Sequence, residues 1–173
     1  MDSSTEQRDS DASYCRRNEP VYGPHVLAVF FGSASCKAAG RPSFKAAMRR
    51  LGKLLQQQAA AQGRGLYFAA VAVDWVPESG FAYLRDFGEF DEVASGGVWW
   101  NTIVCQRLFG VRRPSVPTIV LYERIITPDV DANTMIFGPE RELMRLSGSN
   151  VIEAWIARGA PIPDPSTAGL DGG

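Results

Sequence analysis

The fold is decided by residues 25–74, HVLAVFFGSASCKAAGRPSFKAAMRRLGKLLQQQAAAQGRGLYFAAVAVD. Apolar runs at 25–31 and 66–74 have the length and composition of strands that are buried on both faces. Between them, apolar residues recur at helical spacing over 43–62, with basic residues on the opposite side. A strand, a helix and a strand in this order predict a βαβ unit, in which two parallel strands are joined by a right-handed crossover.

The second half of the chain predicts two further strands. Residues 118–126 form an apolar run of strand type. Another strand is predicted within 134–146, where Pro139 divides the stretch. The sequence leaves open which half pairs, and the half at 141–146 is preferred.

A last helix is predicted over residues 151–157. Asn150 and, three residues later, Glu153 have the pattern of a capping box, and Arg158 followed by Gly159 is typical of a helix end. Strands and helices alternate in this way in proteins of the α/β class.

Composition and charge exclude several classes of function. Lys and Arg number 18 against 19 Asp and Glu, and the net charge of -1 offers no field for binding nucleic acid. No apolar run approaches the ~20 residues of a membrane-spanning helix, and residues 1–20 lack a signal-peptide pattern, so we expect a cytoplasmic protein without a membrane partner. One histidine, His25, and three scattered cysteines, Cys15, Cys36 and Cys105, predict neither a metal site nor a disulfide framework.

The predicted organisation is one domain between two tails. Residues 1–20 are polar and charged, and residues 160–173 are rich in Pro and Gly, so both are predicted to be flexible. The domain covers residues 21–159 and carries an insertion at about 77–104.

Three segments carry a resemblance to a known family. Residues 27–36, LAVFFGSASC, lead from a strand to a cysteine; residues 109–118, FGVRRPSVPT, place Val-Pro-Thr before a strand; and residues 145–156, RLSGSNVIEAWI, join a strand to the last helix. Together they resemble the thioredoxin-like superfamily, whose corresponding segments carry the reactive cysteine, the cis-proline and the C-terminal helix. The resemblance implies a thioredoxin-like fold of the α/β class, with a central mixed β-sheet flanked by helices.

The resemblance also implies which residues form a site. Cys36 matches the reactive cysteine, and Pro117 matches the cis-proline. In the family, the backbone before this proline lies opposite the cysteine, where an extended peptide can pair with it. Cys36 is therefore the predicted catalytic residue, and Val116, Pro117 and Thr118 are the residues predicted to bind the substrate.

Three departures from the family pattern affect the chemistry. The C-x-x-C motif needs a second thiol to resolve the mixed disulfide. When the motif is aligned by counting from the strand, Cys36 takes the first cysteine position and Ala39 the second. When it is aligned by counting back from the helix, Ser33 takes the first position and Cys36 the second. The alignment from the strand is preferred, and both stay open. Phe30 replaces the buried Asp of the family, and Ser35 replaces its Trp. No dithiol activity is expected.

A single cysteine can still react when it is held as a thiolate. We expect Cys36 to lie at a helix N-terminus beside Lys37 and Arg41, and these positive charges favour the thiolate. Cys36 is then expected to form a mixed disulfide with glutathione or a protein, with no other cofactor. Cys105 is a candidate resolving thiol, subject to the geometry that a disulfide demands.

The insertion is rich in aromatic residues, among them Phe81, Tyr83, Trp99 and Trp100. Such residues are frequent in binding hot spots, so these four are candidate partner-binding residues. The alternative, which base rates favour, is that the rings form a satellite core. Two functions therefore stay open: a monothiol protein of the disulfide-oxidoreductase type, and a redox-inactive module that binds a protein through the insertion and the cis-proline face.

Overall fold

The computed structural model describes residues 22–96, 104–108, 115–129 and 134–164. Within these ranges lie six strands: β1 Gly23–Gly32, β2 Gly65–Ala72, β3 Glu92–Ser95, β4 Thr118–Asp129, β5 Thr134–Phe137 and β6 Arg141–Ser147. Three α-helices accompany them: α1 Pro42–Ala61, α2 Pro77–Leu84 and α3 Ser149–Ala157. Single turns of tighter or wider helix lie at Arg85–Phe87 and Val104–Leu108.

The six strands form one mixed sheet. β1 is parallel to β2, with Val26 opposite Leu66, and antiparallel to β4, with Phe31 opposite Thr118. β3 extends the sheet beyond β2, while β5 and β6 follow one another along the other edge of β4. This arrangement confirms the predicted βαβ unit and the α/β class.

Strand β1 lies in the middle of the sheet because both of its faces are apolar. Val26, Ala28 and Phe30 enter a core beneath α1 and α3. The alternate residues enter a second core on the opposite face, together with Val104 and Leu108. Packing on both sides holds the carboxyl end of β1 and thereby the start of the loop that follows it.

Both halves of the strand predicted within residues 134–146 pair with β4. The preference for 141–146 alone is therefore incomplete. Pro139 lies in the break between β5 and β6, and beside it the Gly138 N–H donates to Ile125 O at 2.8 Å. Because proline has no N–H for the ladder, it divides the strand without removing either half from the sheet.

Helix α3 begins without the predicted capping box. Gly148, at φ 93°, is the residue before the helix, in a conformation that favours glycine. The side chains of Asn150 and Glu153 accept hydrogen bonds from Arg41, which precedes α1. The capping prediction is wrong because a distant partner occupies the two side chains that the local pattern assigned to the cap.

The packed chain extends past the predicted domain boundary at residue 159. Ala160 and Ile162 are buried in the core beneath α1 and α3, and Gln62 Nε2 donates to Ile162 O at 3.0 Å. The tail predicted over 160–173 therefore starts too early, whereas the tail predicted over 1–20 lies outside the described residues. Among the helices of the described ranges, none combines the length and the hydrophobicity needed to cross a bilayer.

The insertion adds helix α2 and strand β3, which extends the sheet beyond β2, and it contributes aromatic rings to the core. Tyr83 packs against Phe87 with ring centroids 4.6 Å apart, and Phe87 lies 5.4 Å from Phe30. Tyr83 is 8% exposed. The partner-binding role predicted for Tyr83 is therefore wrong, and its ring belongs to the main core beneath α1 and α3 instead of the separate satellite core that was the alternative.

Candidate active site around Cys36

The Cys36 loop and the loop before β4 meet at one edge of the sheet. Because β1 and β4 are antiparallel, the end of β1 lies beside the start of β4. At this junction the Cys36 thiol donates a hydrogen bond to Val116 O at 3.5 Å, across 80 residues of sequence. The Val116–Pro117 peptide bond is cis. The fold thus brings the thiol and the backbone before Pro117 into contact.

Cys36 is half-buried and lies in a turn that is separate from α1. Its carbonyl accepts hydrogen bonds from the N–H groups of Ala39 and Gly40, both at 3.1 Å, and α1 begins only at Pro42. The field of a helix N-terminus falls off within the first turn. Activation of the thiol by the α1 dipole, as predicted from the sequence, is therefore wrong.

The Arg41 guanidinium joins the turn that contains Cys36 to α3, and its Nε donates to Ala38 O at 3.1 Å. It donates to Ser149 Oγ, Asn150 Oδ1 and Glu153 Oε2 at 3.0, 2.8 and 2.6 Å. The carboxylate of Glu153 balances its charge. This ion pair weakens the effect that was predicted for Arg41 on the Cys36 thiolate, and the effect itself stays a prediction.

Asp74, which follows β2, holds the Cys36 loop through hydrogen bonds to its carboxylate. Its carboxylate accepts hydrogen bonds from Ser33 Oγ at 2.9 Å and from the Ala34 N–H at 3.0 Å. Ser33 Oγ also pairs with Ser35 Oγ at 2.7 Å. Sequence reasoning missed Asp74, although its place after β2 was a signal, because the carboxyl ends of neighbouring parallel strands meet at the same edge of a sheet.

These contacts separate the two alignments of Cys36 that the sequence left open. Ser33 is buried and bonded to Asp74, whereas Cys36 contacts Val116. Ala39 is completely buried. The geometry therefore favours the count from the strand, with Cys36 in the first place of the motif and Ala39 in the second.

The Tyr83 hydroxyl lies beside the end of β1. Its ring covers Gly32 so closely that a Cβ added there would come within 2.7 Å of the ring edge. Burial raises the pKa of Tyr83, and the charges of Cys36 and Asp74 raise it further, while the Ser33 backbone amide opposes the rise. Tyr83 therefore keeps its proton at neutral pH.

The chain matches known proteins by structure but not by sequence. No protein-family model and no curated protein matches the chain. A putative thiol:disulfide interchange protein DsbE from Chlorobium tepidum matches with 21% identity over 78% of this chain and 79% of its own, at a TM-score of 0.41. The thioredoxin domain of a thiol-disulfide oxidoreductase from Bacteroides vulgatus has 15% identity, covers 78% of each chain and has a TM-score of 0.39. Yeast Sco1 has 14% identity over 81% of this chain and 83% of its own, at 0.40.

These TM-scores are low, so it is the strand order that identifies the fold. β1, α1 and β2 form a βαβ unit, and the antiparallel pair of β4 and β6 is followed by α3. This is the core order of the thioredoxin fold. The chain has a thioredoxin-like fold. α2 and β3, which lie between β2 and β4, belong to its insertion.

Within the thioredoxin-like fold, Pro117 and Thr118 are buried next to the site and bonded to other parts of the protein. Thr118 is 1% exposed, and its hydroxyl donates to Ser115 O at 2.7 Å and pairs with Ser147 Oγ at 2.8 Å. Pro117 is also buried, and its carbonyl accepts from the Gly148 N–H at 2.8 Å. Contacts inside the protein already use the Thr118 hydroxyl, so the role in substrate binding that was predicted for Val116, Pro117 and Thr118 stays a prediction for their backbone.

Exposed apolar side chains follow Asp74 on the thioredoxin-like scaffold. Trp75 is 77% exposed and Val76 is 54% exposed, and Phe81 on α2 is 44% exposed. Of the predicted partner-binding residues, Phe81 is thus available to a partner. Sequence reasoning did not single out Trp75 or Val76.

Other predicted residues lie outside what the structure describes or outside the site. Cys15, Trp99, Trp100 and the side chain of Cys105 fall outside the described part of the chain. His25 is buried, and its Nδ1 lies 3.0 Å from Gly23 O, so its contacts are those of a packed residue. In the described ranges, no group of three or more His, Cys, Asp or Glu side chains could hold a metal ion.

Proposed function

We propose that this thioredoxin-like protein captures a thiol partner as a mixed disulfide at Cys36, with a single thiol in place of a pair. The observation that carries the proposal is the half-buried Cys36 thiol at 3.5 Å from Val116 O, at the edge where the two loops meet. Ala39 and Ser33, at the two alternative places for a second cysteine, have no thiol.

The chemistry is one proton transfer and one exchange. Cys36 loses its thiol proton to solvent, and the thiolate attacks one sulfur of a disulfide RS–SR. The new S–S bond forms as the old one breaks, and the leaving RS⁻ takes up a proton, so that Cys36 is oxidised and RS–SR is reduced. A further RSH then attacks the adduct, returns Cys36 as a thiol and regenerates RS–SR.

We propose a protein or a small thiol as the partner. An extended segment of a protein could lie along the Val116 backbone, with Trp75, Val76 and Phe81 providing apolar contacts near the loop. Glutathione is the proposed co-substrate of the exchange. The cytoplasm, where thiols stay reduced, is the proposed compartment.

Brief exposure of the reduced protein to oxidised glutathione, followed by mass spectrometry of intact protein and peptides, tests this function. We expect one glutathione adduct, at Cys36, which dithiothreitol removes. A variant that keeps only Cys36, with Cys15→Ser and Cys105→Ser, should give the same adduct, and Cys36→Ser should lose it. An unmodified Cys36 under conditions that modify Cys15 would contradict the proposal.

The same measurement shows which thiol resolves the adduct. If Cys105 resolves it, the oxidised protein loses two hydrogens as an internal disulfide forms, and Cys105→Ser accumulates the glutathione adduct. If an external thiol resolves it, the parent protein and Cys105→Ser behave alike.

The alternative function, binding without redox chemistry, is favoured by one observation. The Cys36 thiol donates a hydrogen bond to Val116 O, and this bond favours the protonated form of the thiol. Neither α1 nor Arg41 provides an unbalanced positive charge that would favour the thiolate instead. A serine hydroxyl at position 36 can donate the same hydrogen bond. The absence of an adduct, with unchanged partner binding by Cys36→Ser, would select the binding module.

A further inference from the structure

The proton of the buried Tyr83 hydroxyl has no hydrogen-bond acceptor among the described residues. Tyr83 is 8% exposed, and the group that faces its hydroxyl oxygen is the Ser33 backbone N–H, a donor that lowers the pKa of Tyr83 against the effect of burial. A buried hydroxyl proton without an acceptor destabilises the folded protein. The hydroxyl therefore requires an explanation beyond packing.

Two features place this hydroxyl at the Cys36 loop. The Tyr83 ring lies over Gly32, the last residue of β1, and a Cβ added at Gly32 would come 2.8 Å from the hydroxyl oxygen. The ring can occupy this position because residue 32 has no side chain. The charges of Cys36 and Asp74 both raise the pKa of Tyr83, and Asp74 itself holds the Cys36 loop through hydrogen bonds from Ser33 Oγ and the Ala34 N–H.

We infer that the Tyr83 hydroxyl donates a hydrogen bond to the Cys36 sulfur when that sulfur is a thiolate. In the resting protein the thiol proton points to Val116 O. Once the proton has left, the negative sulfur and the carbonyl oxygen repel each other, and the sulfur needs a donor. Helix α1 and Arg41 do not provide one, because the helix begins at Pro42 and the guanidinium is bonded to Ala38 O and to α3.

The protonation state of the Tyr83 hydroxyl suits its role as a hydrogen-bond donor. Burial raises the pKa of Tyr83, so the hydroxyl keeps its proton in alkaline solution. Tyr83 then acts as a hydrogen-bond donor and not as a proton carrier. The inference rests on the proposed function, since it names the group that stabilises the attacking form of Cys36.

A hydrogen bond to the thiolate has opposite effects on its abundance and its reactivity. If the bond raises the thiolate fraction about tenfold near neutral pH, a Brønsted slope of ~0.4–0.5 lowers the intrinsic nucleophilicity about threefold. The net rate near neutral pH is then about threefold higher with the hydroxyl than without it. When the compared proteins both carry the thiolate, only the lower nucleophilicity remains.

Alkylation of Cys36 by iodoacetamide, in the background that keeps only this cysteine, tests the inference. We expect Tyr83→Phe to react about threefold more slowly than the parent at about pH 7 and about threefold faster at about pH 10, so that the two pH profiles cross. Tyr122→Phe is the matched control. Tyr122 is 7% exposed and belongs to the core on the opposite face of the sheet, so its profile should follow the parent.

Two outcomes overturn the inference: equal rates for Tyr83→Phe and the parent at both pH values, or a change in the same direction at both, which indicates a loosened loop. Phenylalanine keeps the ring contacts, and denaturation in urea shows whether the substitution loosens the fold. Iodoacetamide reacts without a disulfide. The result is therefore independent of whether glutathione forms an adduct, and failure of the proposed function stays distinguishable.

Discussion

At the scale of single residues, Asp74 decides how the Cys36 loop is held. It accepts hydrogen bonds from Ser33 Oγ and from the Ala34 N–H. We expect Asp74→Ala to lower the free energy of unfolding by about 1–2 kcal/mol, because two donors lose a charged acceptor that is partly exposed to solvent. Asp74→Asn keeps an acceptor oxygen and should cost less than half as much. Urea denaturation measures both.

An exposed carboxylate provides the control for Asp74. Asp86 forms an ion pair with Lys45 at 2.6 Å, and solvent screens such surface pairs. Asp86→Ala should therefore change the stability less than Asp74→Ala. Equal effects of the two substitutions would remove the role assigned to Asp74.

At the scale of elements, Arg41 joins the start of α1 to α3. Its ion pair with Glu153 is formed by a side chain that is 42% exposed, so we expect Arg41→Gln to lower the free energy of unfolding by no more than about 1 kcal/mol. The same substitution should leave the alkylation rate of Cys36 unchanged, because the Glu153 carboxylate balances the positive charge of Arg41. The rate with iodoacetamide at neutral pH measures this.

Lys37 is the comparison for Arg41. It is exposed and directly follows Cys36, and no described contact directs it to α3. Lys37→Gln should therefore slow the alkylation more than Arg41→Gln does. The reverse order would show that the Arg41 charge acts on the thiol after all.

At the scale of the whole molecule, residues 160–162 complete the core beneath α1 and α3. Ile162 is 5% exposed, and Gln62 of the turn after α1 donates to its carbonyl. We expect Ile162→Ala to lower the free energy of unfolding by about 2–3 kcal/mol, measured in urea. Ile125→Ala, at a site that is 55% exposed, is the control and should change it by less than about 0.5 kcal/mol. Similar small losses at both positions would show that the domain ends before residue 160.

The positions of the main elements were predictable because they depend on residues that are close in sequence. The helical spacing over residues 43–62 predicted α1, which the structure has at Pro42–Ala61. The uninterrupted apolar run at 25–31 predicted a strand with two buried faces, and β1 has them. The lack of a C-x-x-C pair is also a property of the sequence alone, and with it the expectation of a single thiol.

The surroundings of that thiol were decided only by the tertiary structure. Arg41 and Glu153 are 112 residues apart, and Ser33 and Asp74 are 41 apart, so no local pattern contains their contacts. Local patterns even predicted other roles: a capping box for Glu153, thiol activation for Arg41 and partner binding for Tyr83. A side chain with several available partners takes the one that the packed fold places nearest. The sequence by itself therefore determined the scaffold and the single cysteine, whereas packing between distant segments determined which groups surround its sulfur.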